Sequence, residues 1–210
     1  MRREDFIHVL QAAANIVDDE LVVVGSQAVL GVTQAPPAEL LRSMEVDVYP
    51  RSDPERAIEI DGAIGEGSRF HQTYGYYAHG VGPETITAPA GWAGRLEKLT
   101  VPAIRRGHGE TVAWCLSLPD LMLAKLAAER THDIAFVKTA LEAQLVSAEE
   151  LERGIELMPE SAQAPVKKRL DGLKGQILLA EIHSHAEMSE DDAMRFAREA
   201  QDEVRRDSSD

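Results

Sequence analysis

The chain has 210 residues, of which 44% are hydrophobic and 28% charged, a size that allows one core or one core with a helical annex. Its formal net charge of −14 argues against a broad electrostatic footprint for nucleic acid, although a local basic cleft is compatible with it. A single cysteine, Cys115, excludes an intrachain disulfide framework, and no apolar run is long enough to span a membrane, so we expect a soluble, cytoplasmic protein.

The first fifty residues show clear periodicity. Apolar side chains recur at helical spacing over residues 6–17, and the β-branched run 21–24 predicts a short buried strand. Ser26 stands where a helix N-cap is wanted, so we predict a second helix from there to a break at residues 34–37. In residues 45–49 acids alternate with apolar side chains, and this period of two predicts a strand with one polar face.

The middle of the chain is less regular. Residues 62–94 are rich in Gly, Tyr, His and Pro, and we predict irregular strands and loops there. Residues 95–101 and 111–116 alternate well, and the turn residues 106–109 between them predict an antiparallel hairpin. Cys115 lies in an apolar part of this hairpin, where a buried thiol is the favoured interpretation.

From Ser117 onward the periodicity is helical, with predicted helices over residues 117–130, 131–143, 148–158, 162–182 and 189–206. Strands that precede helices indicate an α+β fold. We therefore predict a sheet domain over residues 1–116 and a C-terminal helical region over residues 117–210.

Two acids in the predicted strand are the clearest chemical signal. Glu45 and Asp47 stand at positions i and i+2, so they project from one face of the strand. Like charges at this spacing repel each other unless a cation lies between them, and their oxygens suit Mg²⁺. For an isolated pair of this kind, a solvated acidic edge strand is the simpler interpretation.

A Gly-Ser pair precedes the acids and changes that interpretation. Gly25 follows the predicted buried strand, and glycine lets a phosphate approach the backbone closely. Ser26 opens the predicted helix, whose first N–H groups and dipole attract negative charge. Together with the acids, the pair supplies both halves of a site for a metal and a triphosphate.

These motifs, in this order, resemble the signature of the nucleotidyltransferase superfamily related to DNA polymerase β. Within it, the likeness is to the bacterial toxin-type branch of AbiEii/MenT-like proteins. The strand that follows Gly25-Ser26 begins after Arg42, and the segment 121–133 carries a lysine on a helix and a later aspartate. The resemblance implies a nucleotidyltransferase-like mixed β-sheet with flanking helices, followed by a C-terminal helical bundle.

The resemblance also implies an activity, the metal-dependent transfer of a nucleoside monophosphate from a nucleoside triphosphate to a hydroxyl of RNA, such as tRNA, or of a protein. It implies a toxin–antitoxin setting, with a cognate antitoxin as partner. By the resemblance, the catalytic residues are Glu45, Asp47, Lys125 and Asp133, the nucleotide-binding residues are Gly25, Ser26, Arg42 and Lys125, and the ligands of Mg²⁺ or Mn²⁺ are Glu45 and Asp47.

The lysine and the aspartate of the second motif each allow more than one interpretation. Lys125 is surrounded by apolar residues, and a lysine at the edge of a core helix usually extends its amine to solvent. With the resemblance, we expect it to reach the triphosphate as a point charge. Asp133 either orients Lys125, orients an attacking hydroxyl, or caps the next helix.

Three departures from the family pattern leave a second function open. The family usually has aspartate where this chain has Glu45, and the segment between Ser26 and Glu45 is longer than usual. A third carboxylate, common in the superfamily, has only Glu84 and Glu97 as candidates. The alternative is a catalytically degenerate member that binds a nucleotide or acts as an antitoxin-like protein-interaction module.

Two further groups of residues are weaker signals. The predicted hairpin holds a group of basic residues, namely Arg95, Lys98, Arg105, Arg106 and His108. Such a group is typical of a solvated turn, and nucleic-acid binding is the alternative. The central region contains His71 and His79 near Tyr74, Tyr76 and Tyr77. We expect that group to pack on the sheet, with stacking on a base as the alternative.

Overall fold

The computed structural model describes residues 1–103 and 109–207, with side chains described as far as residue 183. Its β-strands are β1 Leu21–Val23, β2 Glu45–Pro50, β3 Tyr77–Gly80, β4 Glu97–Pro102 and β5 Glu110–Cys115. Its α-helices are α1 Arg3–Val17, α2 Val29–Val32, α3 Ala57–Ile64, α4 Arg69–Tyr74, α5 Leu118–Ala128, α6 Thr131–Glu142, α7 Ala148–Ile155 and α8 Glu160–Asp207.

The five strands form one mixed sheet in the order β3-β2-β1-β5-β4. The central strand β1 runs antiparallel to β2 and parallel to β5, and the outer pair β2–β3 is parallel. Strands β4 and β5 form the predicted antiparallel hairpin. The turn predicted at 106–109 lies outside the described residues except for Gly109, and so do Arg105, Arg106 and His108.

Alternation in β2 separates the core from the site. Val46 and Val48 are fully buried, and β2 contacts α1 and α3, which pack against each other. The predicted amphipathic character of α1 is confirmed, because its buried residues recur at helical spacing (Phe6, Val9, Leu10, Ala13 and Val17). Since neighbouring residues of a strand point to opposite faces, Glu45 and Asp47 project away from this core.

One helix was not expected. We predicted irregular strands and loops over residues 62–94, but α4 lies within that range. The Ser68 hydroxyl caps it by accepting from the backbone N–H of His71, and the helix ends at Gly75, which has φ 78°. Both residues are ordinary helix-boundary signals, so the local sequence did contain the information.

The last helix is longer than expected. We predicted separate helices over residues 162–182 and 189–206, whereas α8 is continuous through both ranges. No Gly or Pro interrupts residues 183–188, and Ala186, Glu187 and Met188 are good helix formers. The break predicted there is therefore wrong.

Compact units do not divide where strands give way to helices. Every described strand precedes residue 116, but the chain divides into one compact unit over residues 1–170 and a second over residues 171–210. Within the first unit α5 packs against α6 and α7, and α6 contacts the 3₁₀ turn Ala38–Leu41. The domain division at residue 116 stays a prediction.

Among the described residues, none of the helices combines the length and apolar character that a membrane crossing needs.

Candidate functional site

A cleft of about 570 Å³ lies beside the polar side of β2. It is lined by six of the seven residues that the sequence singled out, namely Gly25, Ser26, Glu45, Asp47, Lys125 and Asp133. The seventh, Arg42, is exposed and does not line this cleft. The acidic strand, the Gly-Ser turn and the lysine helix are therefore neighbours in the fold, as the combined motif predicted.

Pairing between β2 and β3 gives each carboxylate a partner. In this parallel register Glu45 is opposite Tyr77, and Asp47 is opposite His79. The Tyr77 hydroxyl donates to Glu45 Oε2 at 2.9 Å, and Nδ1 of His79 lies 2.9 Å from Oδ1 of Asp47. Sequence reasoning expected these two residues to pack on the sheet, with stacking on a base as the alternative. The signal it missed is their spacing, because tyrosine and histidine at i and i+2 repeat the spacing of the two acids.

Burial and charge act on the ionisation of this group. Burial raises the pKa of Asp47, the hydrogen bond from His79 opposes that rise, and the neighbouring charge of Glu45 adds to it. Burial, together with the hydrogen bond to Glu45, raises the pKa of Tyr77 to about 12, so the phenol remains a donor at neutral pH. Two adjacent carboxylates, one of them poorly solvated, are the kind of group that a bound cation stabilises.

Gly25 allows close contact between the turn and the acidic strand. A Cβ atom on residue 25 would lie 1.7 Å from Oδ2 of Asp47, so a side chain at residue 25 cannot fit without displacing that carboxylate. The backbone N–H of Val24 also donates to the carbonyl oxygen of Asp47 at 3.1 Å. Glycine is needed here for the close approach of the carboxylate, and Gly25 also lines the cleft.

The predicted N-cap role of Ser26 is wrong. Gly25 holds the cap position of a 3₁₀ turn, Ser26–Ala28, which leads into the four-residue helix α2. The Ser26 hydroxyl instead accepts a hydrogen bond from Nζ of Lys125 at 2.8 Å. So short a helix has only a small macrodipole, so the attraction of negative charge that the sequence predicts for this helix end is weak.

Lys125 is held in place from several directions. Its Nζ donates to Asp133 Oδ1 at 2.5 Å as well as to Ser26, and it lies 4.4 Å from the centre of the Phe136 ring. Lys125 is 8% exposed and Asp133 4%, so this lysine does not extend into solvent. Of the open alternatives for Asp133, the contact with Lys125 is present, whereas the cap residue of α6 is Arg130.

A family comparison agrees with this geometry. The model of a family described as "Nucleotidyltransferase of unknown function (DUF6036)" matches residues 4–180. The chain belongs to this family. The predicted superfamily and the nucleotidyltransferase-like α+β fold are thereby confirmed, while the AbiEii/MenT-like branch stays a prediction. Comparisons with curated proteins and with solved structures found no match.

The two candidates for a third metal-binding carboxylate lie outside the cleft of this nucleotidyltransferase family member, and the third acid that lines the cleft, Asp133, is paired with Lys125. Glu84 is exposed in a 3₁₀ turn, Glu97 lies opposite Cys115 in the β4–β5 pair, and neither lines the cleft. Within the described part of the chain, no group of three or more His, Cys, Asp or Glu side chains could hold a metal ion. The donor set is two carboxylates, which fits Mg²⁺, because this ion commonly takes one or two protein carboxylates together with waters and substrate phosphates.

Two basic residues that sequence reasoning did not select, Arg130 and His132, also line the cleft. Arg130 precedes α6 and has an exposed side chain that forms no ion pair with the described residues. His132 lies near Asp133, with 3.8 Å between its Nε2 atom and Oδ2. Their position between two helices was the only available signal, and exposed basic residues are common in such connections. Among the described residues, the guanidinium of Arg130 therefore has no ion-pair partner, whereas Lys125 in the same cleft is paired with Asp133.

Proposed function

We propose that this family member transfers a nucleoside monophosphate from a nucleoside triphosphate to an acceptor hydroxyl in the cleft. The observation that carries the proposal is the 2.8 Å hydrogen bond between Lys125 and Ser26, which are 99 residues apart in the chain. It joins the lysine helix to the Gly-Ser turn in the same cleft that contains Glu45 and Asp47. Carboxylates, an open backbone and a fixed cation are what a metal-bound triphosphate requires.

Glu45 and Asp47 are the residues that would hold Mg²⁺ or Mn²⁺. They are adjacent carboxylates on one face of β2, and the pKa of Asp47 is raised by burial and by its acidic neighbour. When bound, the ion supplies positive charge that polarises phosphoryl oxygens and helps align the reactants.

The remaining residues bind and neutralise the phosphates. Gly25 lets them approach the backbone, and Lys125, oriented by Asp133, supplies a positive charge beside Ser26. In the transfer, a bond forms between the acceptor oxygen and the α-phosphorus while the bond to the β-phosphate oxygen breaks, releasing pyrophosphate and the hydroxyl proton. Lys125 and Arg130 would stabilise the charge that develops on the leaving pyrophosphate.

The acceptor and the biological setting rest on the resemblance to the toxin-type branch. We propose a hydroxyl of RNA, with tRNA as the first candidate, or of a protein, and a role in a toxin–antitoxin system with a cognate antitoxin. The net charge of −14 leaves a protein acceptor nearly as well supported as RNA.

Labelling with each α-labelled nucleoside triphosphate, Mg²⁺ and either total tRNA or protein tests the proposal, with Asp47→Asn compared to wild type. We expect labelling to fall by at least about 100-fold, because a metal site supplies several kcal/mol of transition-state stabilisation. Asp53→Asn, which changes an exposed acid outside the cleft, is the matched control. Equal labelling by wild type and Asp47→Asn would contradict the assignment of Asp47.

Thermal denaturation shows whether such a loss reflects misfolding. The folded-state pKa of Asp47 is raised, so its contribution to stability is present below the unfolded pKa and is lost as pH rises through the folded pKa. At neutral pH the metal-free protein therefore lacks this contribution to stability. A neutral asparagine at position 47 avoids the free-energy cost of burying a carboxylate charge. We therefore expect Asp47→Asn to melt no lower than wild type.

A degenerate member is the second candidate, and it is favoured by Glu45 in place of aspartate and by the position of Glu84 and Glu97 outside the cleft. Such a protein would bind a nucleotide without turnover, or act as an antitoxin-like interaction module. Calorimetry with a non-hydrolysable triphosphate separates the candidates. Binding by wild type, without labelling of any acceptor, would support the degenerate protein.

A further inference from the structure

Two side chains of β3, Tyr77 and His79, form hydrogen bonds with the carboxylates of the acidic strand. We propose that Tyr77 and His79 determine which divalent cation the cleft accepts, because each holds one carboxylate oxygen of Glu45 or Asp47 in a hydrogen bond. This inference rests on the proposed function, since it concerns the metal site that the transfer would use.

In each of the two carboxylates, one oxygen is hydrogen-bonded to a side chain of β3. Oε2 of Glu45 accepts from Tyr77, and Oδ1 of Asp47 is bonded to His79, both at 2.9 Å. The other oxygen of Asp47, Oδ2, lies against Gly25, where the backbone is open to the cleft. For a cation in the cleft, each carboxylate therefore presents mainly one oxygen.

Single-oxygen coordination does not suit all cations equally. Ca²⁺ takes about six to eight oxygens at about 2.3–2.6 Å and often binds both oxygens of one carboxylate. Mg²⁺ requires a nearly octahedral set at about 2.0–2.1 Å and keeps waters or phosphate oxygens in several positions. A pair of carboxylates that each offer one oxygen therefore favours Mg²⁺, and Mn²⁺ at a similar site, over Ca²⁺.

The strand register makes this arrangement specific to the two donors. Tyr77 and His79 are opposite the two acids in the parallel β2–β3 pair, so the sheet itself sets the separation of donors and acceptors. The bond from Tyr77 also restrains Glu45, whose side chain has one methylene more than aspartate and more rotamers to lose. Tyr77 and His79 are positioning residues here, because they act on the cation through the carboxylates.

Binding of Mn²⁺ to the full chain, followed by electron paramagnetic resonance with and without a non-hydrolysable triphosphate, measures the site directly. Competition with Mg²⁺ and with Ca²⁺ gives their relative affinities. Tyr77→Phe should weaken Mn²⁺ binding by about tenfold, as the loss of an outer hydrogen bond to a metal ligand commonly does. It should also shift the affinity ratio toward Ca²⁺, because the second oxygen of Glu45 becomes available. The matched control is Tyr74→Phe, since Tyr74 is half exposed and does not line the cleft.

A second pair of variants distinguishes the hydrogen bond of His79 from a general structural role of this residue. His79→Ala removes the donor to Asp47, whereas His79→Asn retains an N–H close to the position of Nδ1. We expect the alanine variant to shift the ratio of Mg²⁺ to Ca²⁺ affinity, and the asparagine variant to restore it. Thermal melts of all variants confirm that they are folded.

A double-mutant cycle isolates the contact between Glu45 and Tyr77. Aspartate at position 45 is too short to keep the bond, so Tyr77→Phe should have little further effect in the background of Glu45→Asp. Unchanged cation affinities in Tyr77→Phe and in His79→Ala, with wild type binding Mn²⁺, would overturn this inference alone. Absence of Mn²⁺ binding to wild type, with and without triphosphate, would overturn both this inference and the metal site of the proposed function.

Discussion

Asp47 and Gly25 lie against each other, with Oδ2 of Asp47 occupying the space that a Cβ atom at residue 25 would need. The absence of a side chain at Gly25 admits the carboxylate, and the same glycine lines the cleft.

Cys115, by contrast, does not line the cleft. It is fully buried, as predicted, and burial raises the pKa of its thiol to about 12, so it remains an unreactive thiol at neutral pH.

At the residue scale, Gly25→Ala should disrupt the site without unfolding the protein. The added methyl group would displace the carboxylate of Asp47, and a misplacement of about 1 Å can reduce a rate by about 100-fold. The measurement is kcat/KM for nucleotide transfer beside a thermal melt. Gly94→Ala is the control, because a Cβ atom there meets no neighbour within 4 Å. An unchanged kcat/KM in Gly25→Ala would contradict the importance of this contact.

Secondary-structure elements meet at the cleft through a small number of polar contacts. Helix α5 reaches the Gly-Ser turn through Lys125 and Ser26, and it reaches α6 through Lys125 and Asp133. The latter is an ion pair between two buried side chains, whose geometry matters more than its net contribution to stability. Such a pair specifies where the lysine charge lies, which is what the proposed function needs from it.

At the element scale, removing one member of this pair should cost much more than removing both. Lys125→Met leaves the Asp133 carboxylate buried and unpaired, and should lower the free energy of unfolding by about 3–5 kcal/mol. Adding Asp133→Asn should recover most of that loss in urea denaturation, while nucleotide transfer stays abolished. A double variant as unstable as Lys125→Met would show that the pair is not what stabilises this junction.

An exposed ion pair provides the comparison for that measurement. Lys138 and Glu142 form a contact at 3.3 Å between positions i and i+4 of α6, and their side chains are 37% and 44% exposed. Lys138→Met should change the free energy of unfolding by no more than about 0.5 kcal/mol.

For the whole molecule, charge is the dominant property. The chain carries 36 acidic and 22 basic residues, so a polyanionic acceptor approaches against long-range repulsion. Within the described part of the cleft, the lysine and arginine residues are Lys125 and Arg130, and the first of these is already paired with Asp133. Selectivity for an acceptor would therefore depend on short-range contacts more than on electrostatic attraction.

At the scale of the whole molecule, transfer to an RNA acceptor should become faster as monovalent salt is raised at constant Mg²⁺. Between about 0.01 and 0.1 M salt the screening length falls from about 30 to about 10 Å, which weakens repulsion between the acidic protein and RNA. The measurement is kcat/KM for the RNA acceptor, with a basic protein acceptor as the control, for which kcat/KM should fall. A fall of kcat/KM with RNA would contradict this expectation.

The sequence by itself determined those features that neighbouring residues encode. Alternation of acids with valines placed Glu45 and Asp47 on one strand face, and helical spacing identified α1 and the helices after Ser117. The combination of three motifs predicted the superfamily and six of the residues that line the cleft. The strand face and the helices could be predicted because backbone periodicity is a local property that a short run of residues carries, whereas the superfamily followed from the resemblance of the three motifs in their order.

Only the tertiary structure decided which partner each polar side chain takes. The pairing of Tyr77 with Glu45 and of His79 with Asp47 joins residues 32 positions apart, and it depends on the register of two strands. Lys125 takes the hydroxyl of Ser26 across 99 positions, so a serine that looked like a helix cap is instead a hydrogen-bond acceptor in the cleft. A hydrogen bond requires its atoms to lie within about 3 Å with the right direction, and for residues far apart in sequence that distance is set by how the elements pack.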